Sequence, residues 1–178
     1  MGLLGMGNIA QAVVKKLSGF GAEMIYYDAR RLPEETEAAL NVRYVSFDEL
    51  IQTSDILSLH VPMTPSTAKI IGAKQLEMMK SGSILINTAR GGLVDEAALY
   101  QALKKGPLYA AGLDAYEEEP PAADCPLFAL DNVVLSDHCG NSTIDSVVSV
   151  TRHALGNIAK FEQGETLNAA DVVVPRSR

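Results

Sequence analysis

The chain has 178 residues, 47% of them hydrophobic, and a formal net charge of −7 at pH 7. That length and apolar content suit a single sizeable core, and the acidic balance disfavours binding to a phosphate backbone. No apolar run approaches the roughly eighteen residues of a membrane span, so we expect neither a nucleic-acid nor a membrane partner. The two cysteines, Cys125 and Cys139, lack metal-ligand spacing. This predicts no metal site and suits a reducing cytoplasm.

The chain opens with a strand that runs into a glycine turn. An apolar strand over residues 1–5 leads into Gly5-x-Gly7-x-x-Ala10, and a helix is predicted over residues 8–19. Gly5 permits a tight turn, and Gly7 lets the backbone approach a pyrophosphate. The start of the helix supplies free N–H groups and a positive dipole end. This order of elements predicts a dinucleotide site.

A second strand, over residues 22–28, ends at Asp28. Dinucleotide folds place an acid here to accept hydrogen bonds from the adenosine ribose. A carboxylate would accept bonds from a free 2′-hydroxyl and repel a 2′-phosphate, so we expect the cofactor to be NAD(H) and not NADP(H). Arg30 and Arg31 follow and are expected to be solvated, although contact of either with a ribose phosphate would reverse this preference.

The remaining elements alternate between helices and strands. Helices are predicted near residues 33–40, 47–53, 73–80, 95–106 and 146–164. Strands are predicted near residues 42–45, 55–61, 83–89, 108–115 and 132–137. The alternation predicts an α/β fold with a doubly wound parallel sheet, the Rossmann-type dinucleotide-binding fold. We expect this domain to span residues 1–164 and residues 165–178 to form a C-terminal tail.

Three polar side chains follow three of the apolar strands: Arg90, Glu119 and His138. The carboxyl ends of strands in an open α/β sheet border the ligand crevice, so the three can converge there. A guanidinium clamps a carboxylate, an imidazole exchanges a proton near neutral pH, and a carboxylate beside that imidazole favours its charged form. With a hydride donor nearby, such a set would reduce a 2-oxo acid.

Each of these residues also has a purely structural interpretation. Arg90 would be a surface arginine, Glu119 the last member of a solvated acidic run, and His138 a core histidine. Two glycines after Arg90, the proline after Glu119, and a glycine and threonine after His138 favour the catalytic interpretation. Cys139 is expected to serve packing and not chemistry.

The chain resembles the D-isomer-specific 2-hydroxyacid dehydrogenases from Gly2 to about Gly164. The matching motifs are GLLGMGNIAQAV, DILSLHVPMTPST, ILINTARGGLVDEAAL, AGLDAYEEEP and HCGNST. The resemblance implies hydride transfer between NAD(H) and a small 2-hydroxy acid or 2-oxo acid. Arg90 would then bind the substrate carboxylate and carbonyl, His138 would be the general acid/base, and Glu119 would pair with it.

The resemblance also implies contacts with the cofactor beyond the glycine turn. Asn8 and Ile9 would lie on the pyrophosphate. The residues expected to line the adenosine and nicotinamide walls are Val61, Pro62 and Thr67. Those expected around the nicotinamide are Thr88, Ala89, Asp114 and Gly140, with Asp114 towards the carboxamide. His60, inside a predicted strand, is expected to be structural or part of this wall.

Two departures from the family pattern stand out. Family members usually carry proline before the catalytic histidine, whereas this chain has Asp137, a carboxylate that would either further favour the charged form of the ring or compete with Glu119 for it. Intact members also carry a long preceding segment that builds most of the substrate domain, and this chain begins at the first strand. We therefore expect the chain alone to bind the cofactor with near-background turnover.

Other functions remain open at this stage. The same architecture includes NAD-sensing corepressors, in which cofactor binding drives dimerisation and partner recruitment. Formate-type sites place glutamine where this chain has Glu119, which argues against formate, while the motifs are compatible with phosphite. The apolar stripe of the last helix is typical of an association surface, so we expect a homodimer.

Overall fold

The computed structural model describes residues 1–172, and a seven-stranded parallel sheet forms its centre. The strands are β1 (Gly2–Leu4), β2 (Met24–Tyr27), β3 (Val42–Tyr44), β4 (Ile56–Leu59), β5 (Ser83–Asn87), β6 (Leu108–Leu113) and β7 (Val133–Leu135). Their spatial order is β3-β2-β1-β4-β5-β6-β7, and every pairing is parallel. The predicted doubly wound α/β fold is confirmed.

Six α-helices connect or follow these strands in the described part of the chain. They are α1 (Asn8–Leu17), α2 (Glu34–Leu40), α3 (Phe47–Thr53), α4 (Ala73–Met78), α5 (Glu96–Lys105) and α6 (Ile144–Glu162). Short 3-10 helices lie at Ser18–Phe20, Gly91–Leu93, Pro126–Ala129 and Ala169–Asp171. No 3-10 element was predicted, because a single turn is too short to carry a readable hydrophobic period.

Side-chain caps set where several helices begin. The side chains of Ser46, Asp95 and Thr143 each accept a hydrogen bond from a backbone N–H in the first turn of the helix that follows. The cap at Thr143 explains why α6 starts at Ile144 and not at the predicted residue 146.

All seven strands end one or two residues earlier than predicted, and two of these ends lie beside the crevice. β4 ends at Leu59 instead of residue 61, and β5 ends at Asn87 instead of residue 89. The Asn87 side chain accepts a hydrogen bond from Ala89 N at 3.1 Å and donates one to Arg90 O at 2.9 Å. These bonds turn the chain out of the sheet, so Arg90 lies beyond the carboxyl end of β5.

Buried apolar residues cover both faces of the sheet. Leu3 and Leu4 are neighbours in β1 but belong to different buried clusters, as the two-residue period of a strand requires. The Leu3 cluster includes Ala10 of α1, whereas the Leu4 cluster includes Leu50 of α3 and Leu99 of α5. Burial on both faces accounts for the nearly continuous apolar strands.

The direction of the strand order reverses beside β1. This strand pairs with β2 on one side and with β4 on the other. In open α/β sheets, the crevice outside the carboxyl ends of the strands at such a switch point is the usual ligand site. The fold therefore directs attention to the residues that follow β1, β2, β4 and β5.

Residue contacts divide the chain into two units. Met1–His138 contains the sheet and helices α1 to α5, and the second unit begins at Cys139 and contains α6. Within the second unit, His153 Nε2 lies 2.9 Å from Asp171 Oδ1. The predicted boundary at residue 164 stays a prediction, and residues 173–178 of the predicted tail lie outside the described residues. Among residues 1–172, no helix combines the length and apolar character needed to cross a bilayer.

Candidate active site

The turn between β1 and α1 contains two glycines with different surroundings. Gly5 has a φ of 93°, and a Cβ there would lie 2.9 Å from the carbonyl of His60. A Cβ at Gly7 would meet nothing within 4 Å, because this glycine faces open space where α1 begins. Gly5 is therefore required by the chain's own packing. The space at Gly7 adjoins the N–H groups that start the helix, where Asn8 and Ile9 are exposed.

Asp28 stands immediately after β2 and is bonded to the glycine turn. Its Oδ2 accepts a hydrogen bond from Met6 N at 2.8 Å, and its Oδ1 accepts one from Arg30 N at 2.9 Å. Each carboxylate oxygen has a further lone pair with which to accept a bond from a hydroxyl. The structure therefore brings together the glycine turn and the acid that the sequence predicted beside it.

Arg31 is exposed, as the sequence predicted, but it also forms an ion pair within the protein. Although half exposed, its guanidinium donates to both carboxylate oxygens of Glu37, at 2.9 and 2.8 Å. The ion pair itself was not predicted, because the partner lies on α2 and no pattern near Arg31 indicates that contact.

A cleft of about 440 Å³ opens beyond the carboxyl ends of β4 and β5. The residues that line it are Ile9, His60, Val61, Pro62, Met63, Thr88, Ala89 and Arg90. Five predicted cofactor contacts are among them: Ile9, Val61, Pro62, Thr88 and Ala89. Thr67 braces the adjoining loop, because its hydroxyl accepts from Thr64 N at 2.8 Å and donates to Pro62 O at 2.7 Å.

His60 forms part of the cleft wall, in line with one of its two predicted roles. Its Nε2 lies 3.0 Å from Ser58 Oγ. Burial lowers the pKa of His60 from its ordinary value of 6.5, so the ring is neutral at pH 7. This histidine contributes shape and a hydrogen-bonding edge to the cleft, without a positive charge.

Asp114 follows β6 and is buried. Its Oδ1 accepts a hydrogen bond from Ser136 Oγ at 2.6 Å, which ties it to the residue after β7. Gly140, the other residue predicted beside the nicotinamide, is an exposed residue of the second unit.

The three side chains predicted to carry the chemistry follow the adjacent strands β5, β6 and β7. His138 Nδ1 lies 2.8 Å from Glu119 Oε2. Arg90 lines the cleft and is close enough that its positive charge helps to lower the pKa of Glu119. All three are exposed to solvent. The predicted convergence of a guanidinium, a carboxylate and an imidazole is therefore present in the geometry.

Hydrogen bonding sets the protonation of the Glu119–His138 pair. The bond from His138, and then the bond from Tyr116 N to Oε1, hold the pKa of Glu119 below its ordinary value of 4.5. An ionised carboxylate can only accept hydrogen bonds, so Nδ1 of His138 must carry a proton. Nε2 is then the nitrogen left to exchange a proton with a reactant, as in other carboxylate–histidine pairs.

Glu117, in the same acidic run as Glu119, contacts other residues instead of the histidine. Glu117 Oε1 lies 2.6 Å from Lys69 Nζ, and Glu117 N donates to Glu96 Oε1 at 2.5 Å. Glu117 therefore anchors the loop, while Glu119 reaches the histidine. Composition alone does not separate these two acids, and the residues that do so lie elsewhere in the sequence.

Sequence reasoning missed the residues that hold the loops of Arg90 and Glu119 together. A Cβ at Gly91 would overlap the carbonyl group of Tyr116, so the loop after Arg90 is in backbone contact with the loop before Glu119. Lys69 N also donates to Gly92 O at 2.8 Å, while its Nζ pairs with Glu117. The sequence does mark Asn87 as a candidate, since it is a polar residue that ends an otherwise apolar strand. It does not mark Lys69, because the side-chain partners of that lysine are distant in sequence.

Comparison with known proteins finds close relatives. Residues 1–140 match the family model described as "D-isomer specific 2-hydroxyacid dehydrogenase, NAD binding domain". The glyoxylate reductase of Korarchaeum cryptofilum is 43% identical over 165 residues, which cover 93% of this chain and 49% of that protein. The hydroxypyruvate reductase of Thermotoga maritima is 47% identical over 148 residues, which cover 82% of this chain and 47% of that protein.

Solved structures also share the fold. The crystal structure of D-lactate dehydrogenase with NAD+ from Lactobacillus jensenii matches with a TM-score of 0.88 and 38% identity, covering 98% of this chain and 55% of that one. The chain thus spans about half the length of the relatives that it matches.

Proposed function

Because the chain belongs to the D-isomer specific 2-hydroxyacid dehydrogenases, as their NAD-binding domain, we propose that it is the cofactor-binding part of an enzyme that transfers a hydride between NAD(H) and a small 2-hydroxy or 2-oxo acid. The observation that carries this proposal is the 2.8 Å contact between His138 Nδ1 and Glu119 Oε2, with Arg90 beside that pair on the cleft wall.

The dinucleotide fits the groups at the crevice. Open space at Gly7 and the N–H groups that begin α1 suit a pyrophosphate, with Asn8 and Ile9 in contact with it. The spare lone pairs of Asp28 suit the adenosine ribose. The other proposed contacts are Gly5, Val61, Pro62, Thr67, Thr88, Ala89, Asp114 and Gly140. Bound NADH supplies the hydride.

The chain's own side chains would orient the substrate and move the proton. Arg90 would bind the substrate carboxylate and polarise the carbonyl oxygen. His138 would hold a proton at Nε2 and donate it to the oxygen as negative charge develops there. Glu119 would keep the Nδ1 hydrogen bond and stabilise the charged imidazole. In the oxidation direction, Nε2 would accept the proton from the hydroxyl.

The named relatives support a short 2-oxo acid of the glyoxylate or hydroxypyruvate class as substrate. The corepressor, formate and phosphite alternatives gain no such support. Since Glu119 and His138 are exposed, another part of the protein would have to close over them to exclude water.

We take residues 1–164 as the extent of the cofactor domain. We take the cytoplasm as its compartment, where the thiols of Cys125 and Cys139 would stay reduced.

Helix α6 supports association into a homodimer. Along its length, Ile144, Leu155 and Ile158 are each more than half exposed. At 100° per residue they lie on one side of the helix, which is the pattern of an association surface. Sedimentation would test this: Ile158→Asp should yield monomers, whereas Ser149→Asp, on the opposite side of α6, should remain dimeric. A monomeric wild-type protein would contradict the proposal.

Enzyme assays on the intact protein that carries this chain would test the activity. Loss of NADH absorbance would be followed with glyoxylate, hydroxypyruvate and pyruvate. Arg90→Gln should lower kcat/KM about 10²-fold to 10³-fold. Arg43→Gln makes the same charge change at a residue that pairs with Glu23 and Glu49, and it should leave turnover intact. No NADH oxidation with any 2-oxo acid, or equal activity of the two variants, would contradict the proposal.

A further inference from the structure

The Nε–Nη2 edge of the Arg31 guanidinium is engaged by one carboxylate. Its Nε donates to Glu37 Oε1 at 2.9 Å, and its Nη2 donates to Glu37 Oε2 at 2.8 Å. The same guanidinium lies over the ring of Tyr44, 5.3 Å from its centroid. A bidentate pair of this kind fixes the direction of the fork as well as its distance. Arg31 is therefore held in one place although its side chain is half exposed.

Glu37 is itself anchored in the first unit. The residue is 8% exposed, and Tyr26 Oη donates to its Oε1 at 2.6 Å. Tyr26 Oη accepts from Leu32 N at 2.9 Å, so the loop after β2 is tied to the same point. The bonds from Arg31 and Tyr26 lower the pKa of Glu37 to about 2, and the carboxylate stays charged at neutral pH. The bond from buried Tyr26 fixes the position of the Glu37 carboxylate, and the carboxylate in turn fixes the position of the Arg31 guanidinium.

This arrangement lies beside the proposed ribose site. Arg31 belongs to the loop that Asp28 begins, and Arg30 N in that loop donates to Asp28 Oδ1 at 2.9 Å. Tyr44, whose ring lies under the guanidinium, has its Oη 3.4 Å from Asp28 O. A phosphate on the ribose hydroxyl that Asp28 would bind needs a cation with a free guanidinium fork. Arg31 is a neighbouring cation, but Glu37 occupies the Nε–Nη2 edge of its guanidinium, pairs with its charge and fixes its direction.

We propose that Glu37 is a selectivity-determining residue of the dinucleotide site, because it withholds the Arg31 guanidinium from the 2′-phosphate of NADP(H). The proposal rests on the proposed cofactor function and deepens it. Asp28 disfavours a 2′-phosphate by charge, and Glu37 removes the cation that would compensate for that repulsion. Selectivity in this chain therefore depends on an acid that touches neither ribose nor phosphate.

Titration of NADH and NADPH into the full chain, followed by nicotinamide fluorescence, tests the proposal. Glu37→Gln weakens the hold on Arg31 and should lower the Kd for NADPH relative to that for NADH about tenfold. The double variant Glu37→Gln/Arg31→Gln should lose that gain. Glu49→Gln makes the same charge change in another pair, Arg43–Glu49, and should leave the ratio of the two Kd values unchanged.

Several outcomes would overturn the proposal. One is a folded Glu37→Gln protein with an unchanged ratio, and another is a gain that persists when Arg31 is also replaced. Arg31→Gln alone leaves the Tyr26–Glu37 hydrogen bond in place, so it remains informative if Glu37→Gln fails to fold. It should not weaken NADPH binding, and a clear loss would mean that Arg31 already binds the phosphate. Failure of the wild-type chain to bind NADH would instead contradict the cofactor function itself.

Discussion

The two ends of the proposed cofactor site are built in different ways. At the adenosine end, Asp28 is held by two backbone N–H groups, and Glu37 is buried and bonded to Tyr26 and Arg31. At the reaction end, Glu119 and His138 are bonded to each other, but their side chains are 39% and 42% exposed. The first unit thus holds the groups proposed to bind the nucleotide in fixed positions, whereas the groups proposed to react remain in contact with water. Binding and chemistry should therefore be separable by substitution.

The largest effects are expected from substituting one residue at each end of the site and comparing turnover with NADH affinity. In the intact protein, His138→Asn should lower kcat/KM for 2-oxo acid reduction about 10²-fold to 10⁴-fold, because the proton donor is lost. Asp28→Ala should instead raise the Kd for NADH about tenfold or more, because charge-assisted bonds to the ribose are lost. Steady-state kinetics and NADH titrations on both variants measure this. Equal loss of NADH affinity in the two variants would break the comparison.

A pair of glycines gives a second contrast, in folding stability. Gly91→Ala would drive a Cβ into the Tyr116 carbonyl, and we expect a loss of about 1–3 kcal/mol in the free energy of unfolding. Gly7→Ala meets nothing within 4 Å, so its stability should change by less than about 1 kcal/mol while NADH affinity falls. Denaturant unfolding with and without NADH distinguishes the two. A Gly7→Ala protein as unstable as Gly91→Ala would contradict this assignment.

A pH profile sharpens the comparison at the reaction end. Glu119→Gln replaces a carboxylate by a neutral amide, which stabilises a charged imidazole less well. In the intact protein, the alkaline limb of the rate profile for reduction should move to lower pH by on the order of one unit. Glu118→Gln, its exposed neighbour, is the matched control and should leave the limb in place. An unchanged profile in Glu119→Gln would remove this residue from the proton-transfer pair.

The smallest effect is expected at the adenosine end, as a pH dependence of stability. The pKa of Glu37 is lowered from 4.5 to about 2 by its bonds to Arg31 and Tyr26. The stability that this charged group contributes is therefore present above about pH 4.5 and is lost as the pH falls towards 2. Glu37→Gln should be less stable than the wild type at pH 7, and the difference should shrink below pH 4.5. Urea unfolding at several pH values measures it, and a deficit independent of pH would contradict the ion pair as its source.

Much of the site could be predicted because its residues follow buried strands. Asp28, Arg90 and His138 each come at or just after the end of an apolar run, and a parallel sheet brings those ends to one edge. The glycine turn was equally readable, because its spacing reflects a local backbone requirement. Glu119 was harder to predict, since three consecutive acids share one composition. Its choice over Glu117 depended on family resemblance, and the contacts of both side chains agree with that choice.

The features of the site and fold that were not predicted depend on contacts between segments that are distant in sequence. The ion pair of Arg31 with Glu37 was not predicted, because Glu37 belongs to the following helix. Lys69 was not considered, and its partner lies on a loop that only the folded sheet brings near. The ends of β4 and β5 were also set too far along the chain, because apolar residues continue past the last paired residue. Such features follow from tertiary packing and not from local periodicity.

The close approach of Gly91 to Tyr116 also bears on how this enzyme class could be redesigned. One segment carries the guanidinium, the other carries the carboxylate, and Lys69 joins both through its backbone and its ammonium group. Suppose that only one of these segments were replaced by the equivalent segment of a relative. Foreign backbone would then lie against native backbone where Gly91 approaches the Tyr116 carbonyl, and there is no room for a Cβ at that point. The two segments and Lys69 should therefore be exchanged together, so that the Arg90 guanidinium and the Glu119 carboxylate keep their relative positions.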